Sequence, residues 1–256
     1  SSYKIDESGF NLGYGIPLEK NTRIGAELRI SKFDVTCGST FASSGYEPEQ
    51  CASDDESELK TNIYWSNDSL NAYNFPTEGQ KNRLSLDLAL PGADFQYYKI
   101  NASHKSYYSI NNDLTLKLKG NLGVAGGYGG KELPFFKRYY GGGASSVRGF
   151  DFNSLGQTYA DGNAKGGALS ILASASIISK INFINDSNNM RMSAFFDVGG
   201  IDKKVSQEGV NPRASIGVAF SWITPIGPLG FYAAQPVLKE DDDKTKTLDF
   251  TLGTTF

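Results

Sequence analysis

The chain has little of what metal centres and most catalytic sites need: its 256 residues include 2 cysteines, 1 histidine, 2 methionines and 2 tryptophans. Two cysteines and one histidine are too few ligands for a structural zinc site, so neither a metal nor a cofactor is expected. A Ser-His-Asp arrangement needs three groups brought together in space, and nothing in the pattern does that; the chain is not expected to be an enzyme. Long apolar runs are missing too. The longest fall far short of the roughly 20 residues a spanning helix needs. No charged and apolar leader opens the chain, which therefore reads as a mature or trimmed protein. Positive charge is not in excess, with 25 Lys and Arg against 28 Asp and Glu, so there is no basic footprint for nucleic acid. The glycine runs at 126–130 and 141–143 do not follow strand, loop and helix order, and are not phosphate cradles.

What the chain does have is glycine (29), tyrosine (14), phenylalanine (16) and alternation. Over 114–124, Leu114, Leu116, Leu118, Leu122 and Val124 fall on one face, and Thr115, Lys117, Lys119 and Asn121 on the other. Period two marks a strand. Residues 83–90 repeat it, with Leu84, Leu86, Leu88 and Leu90 against Arg83, Ser85, Asp87 and Ala89. In any single strand the lysine face would suit the solvent side of a soluble sandwich. Recurrence along the chain, with a mean hydropathy of −0.35, favours a barrel whose polar lumen and loops outweigh its lipid band. Size alone leaves one large unit or two small domains open. The alternation favours an all-β fold over 1–256: one antiparallel transmembrane β-barrel domain of the outer-membrane type.

Strand patterns run at about 9–18, 22–34, 57–66, 80–90, 95–108, 114–128, 167–180, 190–199, 212–223, 228–236 and 246–256. Connections alternate between tight (19–21, 111–113, 225–228) and long (35–56, 129–166, 200–211). Short periplasmic turns and long extracellular loops assign the two ends, and 67–79 falls on the periplasmic side. About eleven strands is an odd count where bacterial barrels carry an even one, so the chain reads as the C-terminal part of a larger barrel. Cys37 and Cys51 share one long loop and are expected to form a disulfide, worth about 3 kcal/mol in the chain-entropy picture. The acidic run Glu240-Asp241-Asp242-Asp243 reads as a solvated loop. His104, between Ser103 and Lys105, reads as a lumen or interface side chain.

Inside the longest loop, Gly141-Gly142-Gly143 precedes Val147-Arg148-Gly149-Phe150. Glycines allow positive φ and sharp turns in a confined space, and an arginine there would enter the lumen. The stretch from Leu133-Pro134-Phe135-Phe136-Lys137-Arg138-Tyr139-Tyr140 to Phe150 resembles loop six of the BamA family, the central subunits of the bacterial β-barrel assembly machinery. Phe75-Pro76-Thr77-Glu78-Gly79 resembles a periplasmic turn of that family, and Phe195-Phe196-Asp197-Val198-Gly199 the strand whose aspartate faces the loop arginine. Ser221 to Leu229 resembles the turn before its penultimate strand, and Ala234-Gln235-Pro236 the end of that strand. The resemblance runs in order from about residue 9 to the end.

The resemblance implies a barrel of about sixteen strands behind periplasmic POTRA domains, with those domains and about the first five strands lacking here. It makes Asp197 the lumen partner of Arg148. It also places Ser176 where the family commonly has a second lumen-facing carboxylate. The last strand, with Leu248, Phe250, Leu252 and the terminal Phe256, would close the barrel at a lateral seam, and Gly253 would bend it inward. The implied function is folding and insertion of β-barrel proteins into the outer membrane of a Gram-negative bacterium. Implied partners are unfolded outer-membrane β-barrel proteins, lipoprotein subunits of the machinery and the lipid bilayer, with no nucleic acid. A secretion or translocation pore of the TamA or two-partner type shares the loop motif, and a passive porin-like channel shares the alternation.

Overall fold

The computed structural model describes residues 3–37, 55–160, 162–181, 189–203 and 210–252. Eleven strands follow in chain order: β1 (Tyr3–Glu19), β2 (Thr22–Cys37), β3 (Glu56–Asp68), β4 (Gly79–Ala89), β5 (Tyr97–Ser109), β6 (Leu114–Gly127), β7 (Leu169–Lys180), β8 (Met190–Asp202), β9 (Arg213–Thr224), β10 (Gly227–Leu238) and β11 (Leu248–Leu252). Each pairs antiparallel with the next in one sheet, whose edges are β1 and β11. No helix among the described residues is long and apolar enough to cross a membrane.

Every expected strand is present, and the largest boundary changes are at the start of β1 and the ends of β2 and β8. β1 starts at Tyr3 rather than near 9, because Lys4, Asp6 and Ser8 continue the pairing with Thr36, Asp34 and Lys32. Alternation is imposed by the lipid band, whereas backbone pairing continues past it into water. β8 runs on to Asp202, since Gly199 and Gly200 hide the alternation while still pairing with Leu172 and Ile171.

The register sorts side chains into two faces. Leu84, Ala102, Leu122 and Ile171 lie in one row across β4 to β7, and this face also exposes Phe10, Leu28, Ile63, Phe196, Ile216 and Phe231. An apolar surface spread over a whole sheet is far larger than soluble monomers expose; it matches the lipid band of a membrane barrel. The opposite face carries Ser31, Glu58, Tyr97, Lys117 and Asp197, all buried. His104 sits on the outward row between Asn82 and Gly120, with Nδ1 2.6 Å from Asn82 Oδ1. It does not face the lumen, which corrects half of the expectation for it.

Short connections are built by local chemistry. At β5–β6 the Asn111 side chain accepts from the N–H groups of Asp113 and Leu114, both at 2.9 Å, an Asx turn. At β9–β10 a two-residue link ends at Gly227, whose φ of 126° a side chain would disfavour. The long segment between β6 and β7 folds instead against the inner face. Its residues touch β3 at Glu58, β5 at Asn101, β8 at Asp197 and β10 at Ala234. One loop can reach strands so far apart only if the sheet curls around it.

Candidate functional site

Two glycines shape the tip of the loop. Gly142 and Gly143 take φ of 106° and 83°, and the Gly142 N–H donates to Ser146 Oγ at 2.6 Å. A Cβ on Gly142 would stand 2.3 Å from the Asp151 carbonyl oxygen, so a side chain has no room there. This tight turn delivers Val147, Phe150 and Leu155 into a sealed apolar cluster with Ile201.

Arg148 lies between those apolar neighbours and is directed at the wall. Its Nε and Nη2 each donate to Asp197, at 2.7 Å to Oδ2 and 2.7 Å to Oδ1. Its backbone N–H also donates to Oδ2, at 3.1 Å. Ser174, paired with Asp197 across β7–β8, donates to Oδ1 at 2.6 Å and accepts from Nη2 at 3.4 Å. The guanidinium carbon lies 3.3 Å from the centroid of the Phe195 ring. Asp197 is fully buried and the Arg148 side chain is nearly so. A planar fork meeting a carboxylate with two parallel bonds fixes direction as well as charge. Residue 149 is glycine for two reasons: its φ is 88°, and a Cβ there would press on Ala234 and Ser215.

The residue that stands beside this pair is Ser174. Ser176 lies two residues further along β7, on the same inner face, paired with Phe195 and Lys117.

A second buried ion pair anchors the start of the loop. The 3₁₀ turn Phe135–Lys137 sends Lys137 Nζ to 3.2 Å from Glu58 on β3, and Tyr97 on β5 donates to the same carboxylate at 2.7 Å. Phe33, Phe95 and Phe136 pack edge-on or tilted against one another, and the ammonium lies 4.4 Å from the Phe33 centroid and 5.5 Å from that of Phe136. Burial pushes the Lys137 ammonium below the ordinary lysine value, and Glu58 opposes that shift. Tyr139 then crosses Gly123, which has no Cβ to obstruct the ring, and donates to Asn101 Oδ1 at 2.8 Å.

A third cluster ties the β10–β11 connection down. Arg213, at the start of β9, reaches Asp243 at 2.6 Å and Glu240 at 2.7 Å. Asp243 is therefore clamped and nearly buried rather than solvated, a correction; Glu240 is paired but exposed, and Asp241 and Asp242 are exposed too. The same connection pairs with the pinned loop, through Asp151 N–H to the Lys244 carbonyl at 2.9 Å and Lys246 N–H to the Gly149 carbonyl at 3.0 Å.

Glu58, Tyr97 and Arg213 were missed as anchors, and Lys137 was given no role. Their inward parity was visible, but nothing in strand alternation shows which inward charge a distant loop will cover. Leu248, Phe250 and Leu252 lie on the outward face of β11, opposite Ala233, Phe231 and Leu229. Gly253 and Phe256 lie outside the described residues, as does Cys51; Cys37 is the last residue of β2.

An antiparallel sheet with a lipid-facing outside, a polar inside and a loop pinned to the inner wall defines an integral outer-membrane β-barrel protein. The chain belongs to the Omp85 superfamily, whose domain matches residues 1–256. It is 31% identical over 227 residues to the outer membrane protein assembly factor BamA of Neisseria meningitidis serogroup B, covering 77% of this chain and 28% of the relative. It is 24% identical over 268 residues to the assembly factor BamA of Neorickettsia risticii, covering 99% of this chain and 34% of the relative. The crystal structure of BamA from Haemophilus ducreyi lacking POTRA domains 1–3 superposes with a TM-score of 0.85 at 28% identity, over 99% of this chain and 55% of that one. The chain thus spans about a third of the length of the curated relatives it matches.

Proposed function

We propose that this chain is the C-terminal barrel part of an outer-membrane assembly factor that folds and inserts β-barrel proteins by adding their strands at a lateral seam. The observation that carries the proposal is the Arg148 fork on Asp197, which holds the loop against the inner wall. A passive channel has no need of a loop anchored by a buried charge pair, an apolar cluster and a second ion pair. The relatives' names supply the activity. The physics of strand addition supplies the mechanism: an unpaired strand edge in lipid leaves N–H and C=O groups that each cost several kcal/mol, so a seam acts as a template for an incoming strand. No covalent step is involved. Leu248, Phe250 and Leu252 present the closing strand's lipid face beside that seam. Partners in this reading are unfolded outer-membrane β-barrel proteins and the lipoprotein subunits of an assembly complex.

The test is reconstitution of the native protein in liposomes with its co-purifying partners, following how fast an unfolded porin acquires heat-modifiable gel mobility. Acceleration over empty liposomes is expected. Ion conductance without acceleration would assign a channel or secretion pore instead.

A further inference from the structure

The inner faces of β5 and β6 carry Lys99, Lys105, Lys117 and Lys119 and no carboxylate. The register places Lys105 directly opposite Lys119. Like charges directly across a strand pair are destabilising, so this arrangement is unfavourable unless something neutralises it. Lys105, Lys117 and Lys119 line a cavity of about 500 Å³ beside Arg148. Lys119 Nζ donates to the Ser145 carbonyl at 2.8 Å. Lys117, 9% exposed, makes no ion pair among the described residues and has only the Tyr107 ring, 5.9 Å away, as a cation–π neighbour. The two carboxylates on the cavity are already engaged: Asp197 with Arg148 and Asp249 with Lys246, at 2.9 Å. Buried charges are normally paired, yet Lys117 and its two lysine neighbours line one cavity whose carboxylates are both engaged elsewhere.

We propose that this lumen cavity is an anion site that takes a phosphate group, free or carried by a lipid headgroup, held by Lys105, Lys117 and Lys119. A phosphate offers several oxygens and up to two charges to ammonium groups spread around it, which a single carboxylate does not. The cavity is within the size range of small-ligand sites and has room for more than the bare ion. Because Lys119 already grips the loop through Ser145, the bound anion joins the β5 and β6 wall to the tip of the Arg148 loop.

The experiment uses the folded protein in a phosphate-free neutral detergent, with calorimetric titration of inorganic phosphate and, separately, of short-chain phosphatidic acid below its micellar concentration. Saturable phosphate binding that weakens about tenfold or more in Lys117→Gln and Lys119→Gln is the expected result for a free-phosphate site. The same lysine dependence seen with phosphatidic acid alone supports the site and assigns the headgroup source. No saturable binding of either probe, or binding unchanged in the lysine variants, overturns the proposal. Heat-modifiable mobility reports whether each variant is folded. Lys105→Gln supplies the same readout if Lys117→Gln does not fold. The readout is binding, so its outcome is independent of the assembly assay.

Discussion

Asp197 accepts three hydrogen bonds from one residue, Arg148: two from the guanidinium and one from the backbone N–H. The side-chain bonds fix the plane of the fork, and the backbone bond fixes the loop itself. Arg148→Lys keeps the charge but not the fork. It is expected to lose about 1.5–3 kcal/mol, the worth of a hydrogen bond to a charged group, measured as a lower midpoint for loss of heat-modifiable mobility. A midpoint equal to wild type would mean that charge alone holds the loop.

Gly149→Ala adds a methyl at φ 88°, 3.2 Å from Ala234 Cβ. Strain of this kind costs of order 1–3 kcal/mol. The variant should unfold at a lower temperature and show faster amide exchange over 146–151. Unchanged exchange there would show that the loop absorbs the methyl without moving.

Glu58 is 1% exposed and sits between Lys137 and Tyr97. Removing one partner of a buried ion pair typically costs about 3–5 kcal/mol. Glu58→Ala should approach that loss, and Tyr97→Phe should lose about 1–2 kcal/mol, the smaller effect of one missing hydrogen bond. Denaturation of the two variants in parallel checks the order; a larger loss in Tyr97→Phe would contradict the assignment of Glu58 as the hub.

Arg213 clamps the β10–β11 connection through Asp243 and Glu240. Arg213→Ala should make residues 239–247 sensitive to limited proteolysis while β9 stays protected. Cleavage no faster than in wild type would mean that the Lys244 and Lys246 backbone bonds suffice to hold the connection.

Much of the fold was legible because lipid imposes a simple rule: Leu84, Leu86 and Leu88 must face outward, so Arg83, Ser85 and Asp87 must face in. The rule fails where lipid ends, which is why β1 was read as starting near 9 and the pairing of Lys4 to Ser8 was missed. It also fails for His104, because polar residues on the outward row look inward-facing when parity is judged by polarity. At the site, Arg148 and Asp197 came from a resemblance, not from alternation. The place of Ser174 beside Asp197 is set by the β7–β8 register, which parity alone does not show. Glu58 with Lys137, and Arg213 with Asp243, join residues far apart in sequence, and only the folded loop brings them together.

The most direct test is a double-mutant cycle on Arg148 and Asp197 in the liposome assembly assay, with Arg148→Ala, Asp197→Ala and the pair. Each single variant is expected to slow porin assembly, and the double variant to be no slower than the worse single, because both remove one contact. Additive losses, or single variants that assemble porin at the wild-type rate, would contradict a function that depends on this loop being held in the lumen.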